Sequence, residues 1–491
     1  MIYQSTRDHR LEATSTQAVL RGIAPDGGLY ILDDLTELHF DWRGVLAQDP
    51  VSMSASILSA LLPEFPDMTG LVRRGYEGKF SAPDLTPLVH VGDRYVLELF
   101  HGPTSAFKDV ALSLLPRLMT AARDTEGSDE EIVILTATSG DTGKAALEGF
   151  RDVPGTRIIV FYPAGGVSPI QQAQMTTQQG KNVCVCAVRG NFDDAQTGVK
   201  EIFAACAQRD LGKVRLSSAN SINIGRLAPQ IAYYFKSYAD LVHQDRIKLG
   251  QPVHFVVPTG NFGDILAGYF AKLLGLPVGR LVCASNANNV LTDFLSTGVY
   301  DRRRPFHKTA SPSMDILVSS NLERLLYLAS GCDNEYVASL MKKLSRDGAY
   351  RVTDEILQKL RSEFSCGWCD DAQAAETIGR VWHSNGYLMD PHTAVAWTVA
   401  DQFMAQRRGD APVVVLSTAS PYKFPAPVLS ALGEAPCEDA FALMDQLHRR
   451  TNVPVPENLS RLADLPVRHR DVIDRNEMLD YVLKKVGEPQ W

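Results

Sequence analysis

Cysteine is scarce in this chain: eight residues among 491. Cys184, Cys186, Cys206 and Cys283 sit in apolar segments, where a thiol behaves as a small hydrophobe. No disulfide framework is expected. Long apolar runs are missing as well. The longest are strand-sized, such as Val413-Val414-Val415-Leu416, against the roughly 18 residues a spanning helix requires. Positive charge is in deficit, with 49 Lys and Arg against 57 Asp and Glu, a net charge of −8 and a pI near 5.8. Such a balance offers no general attraction to phosphate backbones or anionic lipid, so neither nucleic acid nor a membrane is an expected partner. The opening Met1 to Arg10 has no apolar core of signal-peptide length and carries both acid and base, which predicts a cytoplasmic protein.

What is present is an ordinary globular composition, 45% hydrophobic and 22% charged. The length suits about three domains at about 150 residues each. Residues 1–85 combine a Gly/Pro-punctuated stretch, Ala24 to Tyr30, with a helical pattern from Ser52 to Leu62, and read as an N-terminal subdomain with few strands. From residue 86 short β-branched runs are each followed by a Gly/Ser/Thr/Asn loop and an amphipathic segment, the signature of an α/β fold. Strands are predicted over Glu131 to Ala137, Asn182 to Val188, Pro252 to Pro258, Arg280 to Ala284 and Pro412 to Leu416. Val199, Ile202, Phe203 and Cys206 mark one helix face, and Ile265, Leu266, Tyr269 and Leu273 another. Mostly parallel sheet is expected, with the loops at the strand carboxyl ends forming the ligand crevice. Beyond about residue 430, Leu443, Leu447, Met478, Leu479, Val482 and Leu483 predict a helical cap.

Several strand-to-helix loops rich in glycine and hydroxyl residues place backbone N–H groups at helix N-termini, which favours a phosphorylated ligand. Gly140-Asp141-Thr142-Gly143-Lys144 is not a nucleoside-triphosphate loop, because that pattern needs four residues between its glycines and Ser or Thr after the lysine, where Ala145 stands. No Gly-x-Gly-x-x-Gly follows any strand, so the dinucleotide fingerprint fails too. Cys366-Gly367-Trp368-Cys369 has no second cysteine pair to complete a zinc site and reads as plain thiols on a helix turn; no metal is expected. His101 reads as a structural residue beside a Gly-Pro turn. Lys108 is different. It lies between Phe107 and Val110 after a Gly/Pro/hydroxyl loop, and a desolvated lysine loses its proton readily and attacks carbonyls. The competing reading is a surface lysine paired with Asp109.

Four segments occur together and in order: His101 to Asp109, Ser139-Gly140-Asp141-Thr142-Gly143, Asn220-Ser221-Ile222-Asn223 with Arg226, and Gly260-Asn261-Phe262-Gly263-Asp264. With Tyr3 to Arg7, Pro25 to Tyr30, Ser417-Thr418-Ala419 and Lys423-Phe424, they resemble the threonine synthase family, in its longer form, over residues 3 to about 430. The resemblance implies a tryptophan-synthase-β-like fold (pyridoxal-phosphate fold type II): two open, mostly parallel sheets flanked by helices, an N-terminal subdomain and a C-terminal helical cap. It implies a large cofactor domain of residues 86–110 and 250–430, a small substrate domain of 111–249, and a C-terminal segment of 431–491.

The implied cofactor is pyridoxal 5'-phosphate, with Lys108 as its covalent anchor and the catalytic residue. The loop Gly260, Asn261, Phe262, Gly263 and Asp264 would hold the cofactor phosphate, and Thr418 the pyridine nitrogen. Thr138, Ser139, Gly140, Asp141 and Thr142 fall where relatives bind the substrate carboxylate. Asn220, Ser221 and Arg226 match the substrate-phosphate cluster, where a guanidinium forks onto phosphate, and Lys144 would add charge. The implied reaction converts O-phospho-L-homoserine and water to L-threonine and phosphate, in a monomer or homodimer. Ser420-Pro421-Tyr422 departs from the His-Pro-Ala of many relatives, so a histidine role there does not carry over. Asp141 stands where shorter relatives have Asn. Two alternatives remain: a phosphohomoserine lyase or related O-phospho-amino-acid paralogue, and a non-enzymatic descendant.

Overall fold

In the computed structural model, residues 1–206, 209–407 and 409–488 are described. The first 76 residues form a three-stranded antiparallel sheet, Asp8–Ala13 beside Tyr3–Ser5 beside Tyr30–Ile31, packed with helices. Their starts are written locally. Thr14 and Gln17 build a capping box on Ser15–Arg21, and Asp49 caps Pro50–Leu61 with proline in the first turn.

Two larger sheets follow. The six-stranded sheet runs Phe364–Trp368, Val278–Ser285, Val253–Pro258, Val413–Ser417, Arg94–Glu98, Leu88–Val91, and only the last pair is antiparallel. The five-stranded sheet runs Asp471–Asp474, Val183–Arg189, Thr156–Pro163, Glu131–Ala137, Val214–Ser217, parallel throughout. Central strands such as Ile132 to Leu135 are buried on both faces and therefore read as continuous apolar runs. Thr156–Pro163, buried at every position, carries the same signal; Val214–Ser217 and Phe364–Trp368, largely half-exposed at the sheet edges, carry little of it.

The C-terminal segment is not purely helical. Asp471–Asp474 adds an edge strand beside Val183–Arg189. With two acidic ends and mostly exposed side chains it has no apolar alternation to announce it; the open sheet edge recruits it by backbone pairing. The helix Met478–Gly487 then packs on Phe192–Cys206, where a side chain at Gly198 would meet the Met478 sulfur at 2.3 Å.

Cys366 lies in an edge strand and Cys369 just beyond it, not on a helix turn. Residues three apart on a strand face opposite ways. Cys366 accordingly contacts Ser296 while Cys369 is buried in the core behind the sheet. Among the described residues no helix is long and apolar enough to cross a membrane, and no group of three or more His, Cys, Asp or Glu could hold a metal ion.

Candidate active site

Lys108 opens the helix Lys108–Leu112 at the carboxyl end of the large sheet. The turn before it is stitched to the end of the strand Val413–Ser417: Phe107 N–H donates to the Thr418 carbonyl at 2.9 Å, and Ser420 N–H donates to the Ser105 carbonyl at 3.1 Å. Asp109 does not pair with Lys108. Its carboxylate accepts from the Thr104 hydroxyl at 2.5 Å and the Thr104 N–H at 2.8 Å, closing its own loop, and burial raises its pKa to about 6. Lys108 is left 8% exposed, with Nζ 3.3 Å from Ser313 Oγ, 3.5 Å from Asp141 Oδ2 and 4.8 Å from the Phe107 ring centre. Burial lowers its pKa from the ordinary lysine value; the Lys423 and Arg226 charges act the same way, and Asp141 acts against them.

Asp141 starts the helix Asp141–Phe150, behind a loop that Thr138 holds by accepting from the Gly140 and Gly143 N–H groups at 3.0 and 2.8 Å. One of its oxygens takes Lys423 Nζ at 2.6 Å and Gln171 Nε2 at 2.8 Å, and the other takes Ser313 Oγ at 3.1 Å and Lys108. Burial opposes its charge, but Lys423 and Lys108 outweigh burial and hold its pKa well below the usual carboxylate range. It is ionised. Ser139 sits half-buried on that loop and Thr142 half-buried in the first turn of the helix.

The Gly260–Asp264 loop carries Phe262 in the left-handed region (φ 65°) just before the helix Gly263–Leu273, which has no capping side chain. Its carbonyls are occupied instead: Ser319 Oγ donates to Gly260 O at 2.8 Å and Asn321 N–H donates to Asn261 O at 3.0 Å. The helix start is thus open to an anion. A side chain on Gly260 would meet the Ser313 carbonyl at 2.7 Å, so only glycine lets this loop approach the Ser313 turn beside Lys108. Burial raises Asp264, in the first helical turn, to about 7.

The Asn220–Asn223 loop joins from the other sheet. Ser221 Oγ accepts from Asn321 Nδ2 at 3.1 Å, which ties it to Asn261, and Asn220 is half-buried. Arg226 is buried, donates to the Ala219 carbonyl at 2.7 Å and has no carboxylate partner among the described residues; burial lowers it to about 10. Thr418 is buried beside Phe107. Lys144 turns away, to Gln178 and Glu148.

Gln171, Ser313 and His392 carry no functional signal in the sequence, and Lys423 is marked there only by its Lys423-Phe424 motif, with no role attached. His392 Nε2 accepts from the Ser313 N–H at 3.1 Å while Nδ1 donates to Asp390 at 2.5 Å. Asp390-Pro391 is a visible helix start, but nothing local announces that His392 supports Ser313. The donor set fits pyridoxal phosphate: a buried amine for its aldehyde, an uncapped helix start for its phosphate and a buried hydroxyl residue, Thr418, at the end of the central strand.

The sequence matches the pyridoxal-phosphate dependent enzyme family over residues 81–419, the threonine synthase N terminus over 2–68 and the threonine synthase C-terminal region over 393–482. Threonine synthase of Pseudomonas aeruginosa is 39% identical, covering 96% of this chain and 98% of its own. The chain belongs to the threonine synthase family. Its cofactor is accordingly pyridoxal phosphate. The crystal structure of pyridoxal-phosphate-bound threonine synthase from Brucella melitensis superposes with a TM-score of 0.86 at 39% identity, covering 99% of this chain and 98% of that one. Human threonine synthase-like 1 is 37% identical over 85% of this chain, which spans 58% of that longer relative.

Proposed function

We propose that this family member is itself a threonine synthase, converting O-phospho-L-homoserine and water to L-threonine and phosphate. The observation that carries the reading is the pair of anion-ready groups around one buried amine. Arg226, a buried guanidinium with no carboxylate partner among the described residues, follows the Ser221 loop, and the uncapped start of Gly263–Leu273 packs beside that same loop. A cofactor phosphate and a substrate phosphate need two such places.

Bound cofactor supplies an electron sink for negative charge developing at the substrate carbons. The chain supplies the rest. Lys108, its amine freed by substrate, takes the proton from Cα and then one from Cβ, and returns protons after water has added at Cβ. Arg226, Ser221 and Asn220 hold the phosphate and steady its charge as it leaves Cγ. Ser139, Gly140 and Thr142 hold the substrate carboxylate, with Thr138 keeping their loop in shape. Thr418 would hold the ring nitrogen of the cofactor, and a hydroxyl there would not force that nitrogen to take a proton. In this reading residues 86–110 and 250–430 carry the cofactor, 111–249 the substrate, and a monomer or homodimer works in the cytoplasm.

Lys108, Thr418 and the Gly260–Asp264 loop are all intact, which speaks against a non-enzymatic descendant. The test is incubation of cofactor-loaded protein with O-phospho-L-homoserine, assaying phosphate and amino acid together. Phosphate with equimolar threonine is expected. Phosphate with 2-oxobutyrate instead would make the protein a lyase, and no phosphate release would defeat both readings.

A further inference from the structure

Asp141 sits between two buried lysines, and the two contacts are unequal. Lys423, with no exposed surface, lies 2.6 Å from Oδ1 and also donates to the Thr104 carbonyl at 3.1 Å. Lys108 reaches Oδ2 at 3.5 Å and, among the described residues, otherwise meets a hydroxyl, Ser313 Oγ, and the Phe107 ring. Arg226 adds a third buried cation. The charged and titratable groups acting on Lys108 are therefore Asp141 from the helix Asp141–Phe150, Lys423 from the turn Pro421–Lys423, Arg226 from the short helix Ile224–Leu227, and Asp264 from the first turn of Gly263–Leu273. Even with Asp109, which also feels the Lys423 charge, Asp141 cannot offset three buried cations in a dry site, so the site gains when a proton leaves. Lys108, the amine with the longer contacts, gives it up.

We propose that Lys423 is a positioning residue of the active centre: a fixed buried cation that occupies Asp141, so that Lys108 remains a neutral, nucleophilic amine. Without Lys423, Asp141 would turn its whole charge on Lys108 and hold it as an ammonium. An ammonium has no lone pair. Cofactor loading requires one, because the nitrogen bonds the aldehyde carbon of pyridoxal phosphate while the carbonyl oxygen leaves as water with the two amine protons. The loading rate therefore follows the neutral fraction of Lys108. This inference rests on Lys108 being the reactive amine of the proposed synthase, and it concerns the protonation of that amine rather than the substrate.

The experiment strips the full-length protein of cofactor and reloads it with pyridoxal phosphate from about pH 6 to about pH 10, a span that brackets a depressed lysine. Imine absorbance is followed, and borohydride reduction with peptide mapping confirms attachment at Lys108. Lys423→Met is expected to move the midpoint of the rate profile upward by about one unit, making loading about tenfold slower near neutrality. Adding Asp141→Asn to that variant is expected to bring the midpoint back down. Should the Met variant fail to fold, Lys423→Gln keeps donors for Thr104 and Asp141 while dropping the charge, and the same shift is expected. An unmoved midpoint, or slowing by the same factor at every pH, would overturn the proposal and leave Lys423 a structural residue. Threonine formation by the unsubstituted enzyme is scored separately, so loss of this inference leaves the proposed function standing, and the converse also holds.

Discussion

Arg324, wholly buried on the helix Leu322–Ala329, donates from Nε to the carbonyl of Tyr30 at 3.0 Å and thereby fastens the N-terminal sheet to the active centre. Its other nitrogens reach Asn321 Oδ1 at 2.5 Å and the Ile222 carbonyl at 2.6 Å. One planar fork thus fixes three segments, two of which carry Ser221 and the Asn261 contact.

Replacing Arg324 by Met leaves three buried acceptors without donors. A loss of about 3 kcal/mol in urea unfolding is expected, since each orphaned group costs about 1 to 3 kcal/mol and partial relaxation recovers some. The variant that folds should show a raised KM for O-phospho-L-homoserine with a smaller change in kcat, because the Ser221 loop loses its anchor. Unchanged unfolding would show that water replaces the guanidinium.

Arg226 makes the opposite trade. A buried guanidinium with no carboxylate partner among the described residues costs stability, so Arg226→Met is expected to unfold at equal or higher denaturant. The same change should lower kcat/KM about 100-fold, matching loss of about 3 kcal/mol from a charge-assisted phosphate contact. Destabilisation without an effect on kcat/KM would contradict its assignment.

Lys108→Ala is expected to fold with an intact N-terminal turn, since Asp109 and Thr104 hold that loop without the lysine. It should form no threonine, and borohydride should trap no cofactor on the chain. Substantial threonine from this variant would sink the synthase reading.

The cofactor-free chain should be more stable in mild acid than at pH about 8, as far as Asp264 is concerned. Burial raises its folded-state pKa to about 7, above the unfolded value of about 3.9. The folded chain therefore binds this proton more tightly. Its contribution is fully present below about pH 4, is lost as pH rises through about 7, and is gone above that. Asp264→Asn should flatten this slope, stabilising the cofactor-free protein at pH about 8 and hardly changing it near pH 4. Equal slopes in denaturant titrations of the two proteins would refute the shift.

Much of the scaffold is legible in local pattern. Glu131–Ala137 falls where its β-branched run ends in a glycine loop, and the Val253–Pro258 strand lies within the predicted Pro252 to Pro258. Lys108 and the Gly260–Asp264 loop stand out by their own turn chemistry, whereas Asp141 and Arg226 are marked as site residues only by resemblance to the family's motifs. Asp471–Asp474 was not, because an exposed acidic edge strand draws its pairing from Val183–Arg189 and not from its own residues. Ser313 and His392 gave no local sign either, for they reach Lys108 through hydrogen bonds between segments far apart in the sequence.

The α/β rhythm and the places of the glycine and hydroxyl loops are written in the sequence, because apolar periodicity and turn chemistry are properties of neighbouring residues, and Lys108 stands out there as a candidate amine. Tertiary structure alone decided the partner and proton of that amine. Asp109, its neighbour, turned to Thr104, while Asp141 and Lys423 arrived from distant elements. Charge interactions depend on distance in space and on exclusion of water, and packing sets both.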